Sequence, residues 1–118
     1  MIKKISATIV ALLVSGSISF SAEFINILTG GTSGVYYPLG VCLSKIYGEK
    51  IKGSKVQVQS TKASVENLNL IQSGKGEIAF VLGDSVQYGW AGNAEAGFKS
   101  KLDNLRGIAG IYPNYVHI

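Results

Sequence analysis

The sequence predicts an α/β fold built around a mostly parallel sheet. Apolar strand-like stretches and helical stretches alternate along the chain in the order β-α-β-α-β, and loops rich in glycine and hydroxyl residues separate them. Parallel strands joined by right-handed crossovers place all their carboxyl ends at one edge of the sheet. Ligands of open α/β sheets bind at that edge, so the loops there are the first candidates for function.

The first strand and helix are predicted within residues 24–50. Residues 24–29 are mainly apolar and predict strand one, whereas residues 35–50 predict helix one. Pro38 is compatible with this helix because it falls in the first turn. The apolar positions at helical spacing are Leu39, Leu43, Ile46 and Tyr47.

Two further strands and a second helix follow. Residues 55–60 alternate in polarity and predict strand two, with Val56 and Val58 on one face. Residues 64–73 predict helix two, on which Val65, Leu68 and Ile71 share one stripe. Gly74 and Gly76 end this helix and precede strand three at residues 77–82.

The last third of the chain is predicted in less detail. A short helix is expected to begin at Asp84 and Ser85 and to end near Trp90. Residues 92–103 form a polar, glycine-containing connection without a predicted structure, and residues 105–112 predict a further strand.

The amino-terminal residues 1–22 have the pattern of a secretory signal peptide. Lys3 and Lys4 precede the apolar residues 5–14, and residues 15–22 are mostly small and polar. Cleavage after Ala22 would leave residues 23–118 as the mature domain, and cleavage after Ser21 would leave one residue more; neither product would insert stably in the membrane. The apolar run is too short to span a bilayer. A buried or amphipathic helix is the weaker interpretation, because residues 5–14 show no polar face.

Composition excludes some classes of function. The formal net charge of the 118 residues is +4. Loss of Lys3 and Lys4 with the signal would leave about +2, which is too weak to indicate nucleic-acid binding. The single Cys42 has no intramolecular partner for a disulfide and is predicted to be a small buried residue of helix one.

The residues needed for common enzyme chemistry are missing. The only histidine is His117, so neither a serine nor a cysteine nucleophile has an obvious base, and the HExxH and CxxC metal motifs do not occur. The loop at residues 31–34 lacks the Gly-Lys-Ser/Thr ending of a P-loop, and a loose dinucleotide fingerprint at residues 74–79 precedes a strand instead of following one. The sequence therefore predicts a non-enzyme without a cofactor or metal.

The loop at residues 30–34 has the pattern of an anion site. Its glycines allow backbone amides to approach a ligand, Thr32 and Ser33 add hydroxyls, and the next helix directs its free N–H groups and positive dipole end to the same point. A carboxylate or phosphate would suit this arrangement. The alternative is an ordinary turn in which Thr32 or Ser33 only caps the helix.

The other loops at the same edge carry similar groups. Ser64 and Asp84 each lie at a predicted helix start, where the alternative to ligand binding is helix capping. Asp84 is suited to pair with an ammonium group of a ligand. Tyr36 or Tyr37, together with Tyr112, can form an aromatic wall, or can simply pack against the core.

Residues 24–40, 59–67, 76–80, 83–86 and 107–114 resemble, in order, the TAXI family of TRAP-transporter solute-binding proteins. The resemblance implies a periplasmic-binding-protein-like lobe of type II with three layers, αβα. It also implies a periplasmic protein that captures a small carboxylate solute, such as a glutamate-like or glutamine-like amino acid or an organic acid, and delivers it to a TRAP membrane permease. The residues expected to bind the ligand are Gly31, Thr32, Ser33, Tyr36, Ser64, Asn67, Asp84, Ser85 and Tyr112.

Members of that family are longer than this chain. Because an apolar run begins at residues 115–118, we expect the chain to hold an incomplete first lobe. Two other functions remain open at this point. One is a secreted surface antigen or interaction module without a small ligand, and the other is a secreted α/β enzyme, which the missing base disfavours.

Overall fold

The computed structural model describes residues 22–115 and residue 118. The predicted signal peptide lies outside these residues except for Ala22, and His117 also lies outside them. None of the helices in the described part of the chain is long and apolar enough to cross a membrane.

Three parallel strands form the sheet. Strand β1 (Phe24–Leu28) lies in the centre, between β2 (Lys55–Gln59) and β3 (Ile78–Ala79). Strand β1 pairs over its whole length with β2, but only its last two residues pair with β3. The predicted parallel α/β sheet is therefore confirmed, with the carboxyl ends of all three strands at one edge.

Three helices connect and follow the strands. They are α1 (Tyr36–Lys50), α2 (Ser64–Gln72) and α3 (Gly83–Ala91), and each begins within two residues of its predicted start. All three predicted helices are confirmed.

Helices lie on both faces of the sheet. Helix α1 crosses β1 and β2 at Gly40, where an added Cβ would lie 2.5 Å from Thr29 Cγ2 and 3.2 Å from Val58 Cγ1. Side chains of neighbouring strand residues point to opposite faces, so Leu28 lies on the other side of the sheet from Thr29. There Leu28 packs against the chain at Gly76, just after α2. The result is the predicted three-layer arrangement.

The buried core draws on the segment whose structure the sequence did not predict. Phe98, Leu102 and Leu105 pack with Leu68 of α2, and Phe98 is fully buried. Apolar side chains of residues 92–103 thus pack against α2 and α3, although these residues contain no regular helix or strand.

The strand predicted at residues 105–112 is wrong. These residues have no regular structure, and 79% of the Ile108 surface is exposed. A strand needs a neighbouring backbone to pair with, and β3 extends over only two residues. Just after β3, the Phe80 N–H still donates to the Leu28 carbonyl (3.0 Å), but the Leu82 N–H donates to the Ser64 hydroxyl (3.0 Å) and not to a strand.

The burial predicted for Cys42 is also wrong, because this residue is exposed. Helix α1 meets the sheet at Gly40, its one buried residue. Its predicted apolar stripe instead borders an open apolar groove of about 1280 Å³, which residues 104–112 flank on the other side. Cys42 lines the same groove.

Gly40 should be required for the close approach of α1 to the sheet. In Gly40→Ala, the new Cβ would collide with Thr29 and Val58, and overpacking of this kind costs about 1–3 kcal/mol in unfolding free energy. Gly48→Ala in the same helix is the matched control, since its Cβ meets nothing within 4 Å. It should raise stability by up to about 1 kcal/mol. Urea denaturation of both variants measures their unfolding free energies. Equal changes in the two variants would contradict the close packing of α1 on the sheet at Gly40.

Candidate ligand-binding cleft

A cleft of about 310 Å³ opens at the carboxyl edge of the sheet. This volume is at the lower end of the range for small-molecule sites, roughly 300–1,000 Å³. The cleft is bordered by the loops that follow all three strands. Four of the predicted ligand-binding residues line it, and its full lining is Gly30, Gly31, Gly34, Val35, Tyr36, Ala63, Ser64, Leu82, Tyr112 and Asn114.

The loop after β1 forms a tight turn beside the cleft. The Gly34 N–H donates to the Gly31 carbonyl (2.9 Å), which places Thr32 and Ser33 at the exposed tip of the turn. Helix α1 has Val35 at its N-cap position and no side-chain cap, so neither hydroxyl caps it. In the first helical turn, Tyr36 and Tyr37 have backbone N–H groups without an acceptor in their own helix, whereas Pro38 has no N–H and the Leu39 N–H donates to the Val35 carbonyl (3.3 Å).

The loop after β2 brings Ser64 into the cleft wall. Ser64 is 7% exposed, and its hydroxyl accepts from the Leu82 N–H (3.0 Å) instead of capping α2. This bond joins the start of α2 to the segment that follows β3. Two of the three loops are thereby held together directly at the cleft.

Asn67 lies fully buried beneath these loops. Its Nδ2 donates to the carbonyl oxygens of Thr29 (2.7 Å) and Phe80 (2.8 Å), and its Oδ1 accepts from the Thr61 hydroxyl (2.6 Å). Both amide hydrogens are thus used by the protein. The carboxamide connects the end of β1, the segment after β3 and the loop after β2, a structural role that the sequence reasoning missed.

The structure places Asp84 and Ser85 outside the cleft lining. Both are in the first turn of α3, where the Ser85 N–H donates to Asp84 Oδ1 (2.6 Å). Asp84 is exposed and borders the apolar groove. Leu82, not Asp84, is at the N-cap position of α3, and no side chain caps this helix.

Aromatic rings form one side of the cleft. Tyr36 stacks on Phe80 with ring centroids 5.7 Å apart, and Tyr112 is tilted against Tyr36 at 6.4 Å. Burial raises the pKa of the Tyr36 phenol above its usual 10.0, and Tyr112 adds to this increase while Ser64 opposes it. Tyr36 is therefore a neutral hydrogen-bond donor at physiological pH. Tyr37 is half-buried and is not among the lining residues.

The cleft wall carries no charged side chain. All ten lining residues are uncharged, so backbone N–H groups and hydroxyls are the donors available to a ligand on this wall. Within the described part of the chain, no group of three or more histidine, cysteine, aspartate or glutamate side chains is placed to hold a metal ion.

The sequence of the chain matches a known protein family. A sequence model of the NMT1-like family matches residues 27–118, more than three quarters of the chain. The chain belongs to this family, which is periplasmic-binding-protein-like. Membership suggests a solute-binding role in general, with a small-molecule ligand, and proteins of this kind are typically extracytoplasmic.

The raised pKa of Tyr36 makes stability sensitive to alkaline pH. The phenol ionises at a lower pH in the unfolded chain than in the folded one, so its contribution is complete below about pH 10 and is lost as pH rises through the folded-state pKa. Tyr36→Phe should remove this contribution. Thermal unfolding between pH 9 and pH 11, in roughly the range where tyrosine titrates, should show a smaller loss for the variant than for the parent. If the variant and the parent lost the same stability over this pH range, the burial of the Tyr36 phenol would be contradicted.

Proposed function

We propose that this member of the NMT1-like family is the extracytoplasmic solute receptor of a TRAP-type transporter, of the TAXI kind. It would capture a small carboxylate solute and deliver it to the membrane permease. One observation carries the proposal: the loops after three parallel strands meet at a cleft bordered by an uncapped helix start, a serine hydroxyl and a neutral phenol. The motif resemblance supports the narrower assignment to TAXI proteins.

The donors at the cleft are suited to a carboxylate. Backbone N–H groups at a helix start bind anions through hydrogen bonds and through the helix dipole. In the proposed complex, the Gly31 amide and the Ser64 hydroxyl bind one carboxylate in the cleft, and the hydroxyls of Thr32 and Ser33 reach it from the exposed tip of the turn. Because no cationic side chain lines this wall, a ligand with a single carboxylate here is favoured over one with several clustered negative charges.

The rest of the ligand would be held by the aromatic side and by α3. Tyr36 and Tyr112 offer ring faces and phenolic donors. An ammonium group extending toward α3 would approach Asp84 and Ser85, which favours an amino acid such as glutamate or glutamine over a simple organic acid. Asn67 would contribute from below by holding the loops in place.

Transport receptors of this type work by closing over their solute. Ligand contacts from both lobes stabilise the closed form, which the permease then recognises. The cleft described above would be the wall contributed by the first lobe. The predicted signal peptide at residues 1–22 would direct the chain to the periplasm, where the permease is accessible.

A ligand screen tests this function directly. Thermal unfolding of the chain is followed with a panel of amino acids and dicarboxylates, and with amines of matched size that lack a carboxylate. A ligand at about 100 times its dissociation constant should stabilise the folded state by roughly 2.7 kcal/mol. Stabilisation by one carboxylate class and not by the amines is the expected result. Absence of any shift across the carboxylates would contradict the proposal.

The first loop should contribute to affinity and not to folding. Thr32→Ala combined with Ser33→Ala removes two exposed hydroxyls that do not cap α1, so the unfolding temperature should stay near that of the parent. Affinity for the carboxylate found in the screen should fall by about tenfold, as expected for lost hydrogen bonds. Ser73→Ala combined with Ser100→Ala, two exposed positions away from the cleft, is the matched control. Equal affinity of the two double variants would show that Thr32 and Ser33 do not bind the ligand.

A further inference from the structure

Ala63 has a backbone conformation that alanine rarely adopts. Its φ is +68° and its ψ is −145°, and it is the only described residue other than glycine with a positive φ. A conformation of this kind costs on the order of 1–3 kcal/mol and persists only where the surroundings hold it. Ala63 lines the cleft and immediately precedes α2, so this strain is located at the candidate site.

Two hydrogen bonds hold the strained residue at both ends. The Ala63 N–H donates to the Thr61 hydroxyl (3.0 Å), and the Ala63 carbonyl accepts from the Asn67 N–H (3.0 Å). The first bond depends on a side chain, because it is the Thr61 Oγ1 that accepts. Loss of that hydroxyl would leave the amide of a strained residue without this partner.

The Thr61 hydroxyl also connects Ala63 to the buried carboxamide. Its oxygen lies 2.6 Å from Asn67 Oδ1 and 2.9 Å from the Thr29 carbonyl, but it has one hydrogen to donate. The Thr29 carbonyl has a donor in Asn67 Nδ2 (2.7 Å), whereas Asn67 Oδ1 is the nearer acceptor of the Thr61 hydroxyl, so we assign the hydroxyl hydrogen to Asn67 Oδ1. A continuous chain of hydrogen bonds therefore runs from Ala63 through Thr61 to Asn67.

The strained residue lies directly before α2. Ser64 follows Ala63 directly, and its hydroxyl meets the Leu82 N–H across the cleft. A relaxed Ala63 would rotate the peptide that leads into Ser64 and move the first N–H groups of α2. The Ser64 hydroxyl is one of the donors of the proposed ligand site, so such a movement would displace it.

We propose that Thr61 and Ala63 are positioning residues: the Thr61 hydroxyl, linked to Asn67, keeps Ala63 in its strained turn so that the start of α2 points into the cleft. The inference rests on the proposed function, because it concerns the same cleft. Neither residue needs to touch the ligand. Their effect on binding passes through Ser64 and the first turn of α2.

The test compares two substitutions at one position. Thr61→Val keeps the branched shape but removes the hydroxyl, whereas Thr61→Ser keeps the hydroxyl. Binding of L-glutamate, used as the probe, is measured by calorimetry on the full chain. Affinity should fall by about tenfold in Thr61→Val and should return close to the parent value in Thr61→Ser.

A matched control separates positioning from simple destabilisation. Ile25→Val lies at the other end of β1 and lowers stability without touching the cleft. At a temperature where all variants are folded, Ile25→Val should bind L-glutamate like the parent. If Thr61→Val also binds like the parent, or if Thr61→Ser binds as weakly as Thr61→Val, the proposal is overturned.

Amide hydrogen exchange tests the positioning role of Thr61 even if the parent protein does not bind L-glutamate. Thr61→Val should speed exchange at Ala63 and Asn67 more than at Lys55, whose amide donates to Glu23 at the opposite edge. Thr61→Ser should restore slow exchange. A uniform increase at all three amides would overturn the positioning role. Lack of binding by the parent, with the local exchange pattern present, would count against L-glutamate as a ligand of the proposed function and would leave the positioning role supported.

Discussion

The buried carboxamide of Asn67 is the interaction on which the arrangement of this sheet edge depends. A polar side chain without exposure to water must satisfy its hydrogen bonds inside the protein, because each unmet bond costs about 1–3 kcal/mol. Asn67 satisfies them with Thr29 after β1, Phe80 after β3 and Thr61 after β2. Three chain segments that are distant in sequence are thereby held at fixed positions by one residue of α2.

The candidate site follows from that constraint. Ser64 lies one helical turn before Asn67, so fixing Asn67 against the strand ends also fixes the start of α2 beside the cleft. The Ser64 hydroxyl then ties this helix to Leu82, and Tyr36 and Tyr112 form the aromatic side. The wall uses uncharged donors throughout, and the family suggests a solute-binding role in general.

Local patterns predicted most of the fold, whereas contacts between distant segments were beyond them. Hydrophobic patterns located β1, β2, α1 and α2 because each extends over a full element, and a helix-start signal at Asp84 and Ser85 located α3. These patterns could not show that Phe98 and Leu102 fill the core, since residues 92–103 have no period. They also predicted a strand at residues 105–112 because strand propensity says nothing about whether a pairing partner exists.

At the site, the sequence motifs singled out Ser64 and Asn67. The positive φ of Ala63 could not be predicted, because alanine is not a residue type that indicates a positive φ. In the structure, the Ala63 N–H donates to the Thr61 hydroxyl and the Ala63 carbonyl accepts from the Asn67 N–H, and these bonds hold the conformation.

The most direct test of this account is the unfolding free energy of Asn67→Leu. Leucine is similar in size to asparagine but cannot bond the Thr29 and Phe80 carbonyls, so the account predicts a loss of about 3 kcal/mol in urea denaturation. Asn69→Leu, at an exposed position of the same helix, should change stability by no more than about 0.5 kcal/mol. If Asn67→Leu were as stable as Asn69→Leu, the buried carboxamide could not be what holds this edge of the sheet together.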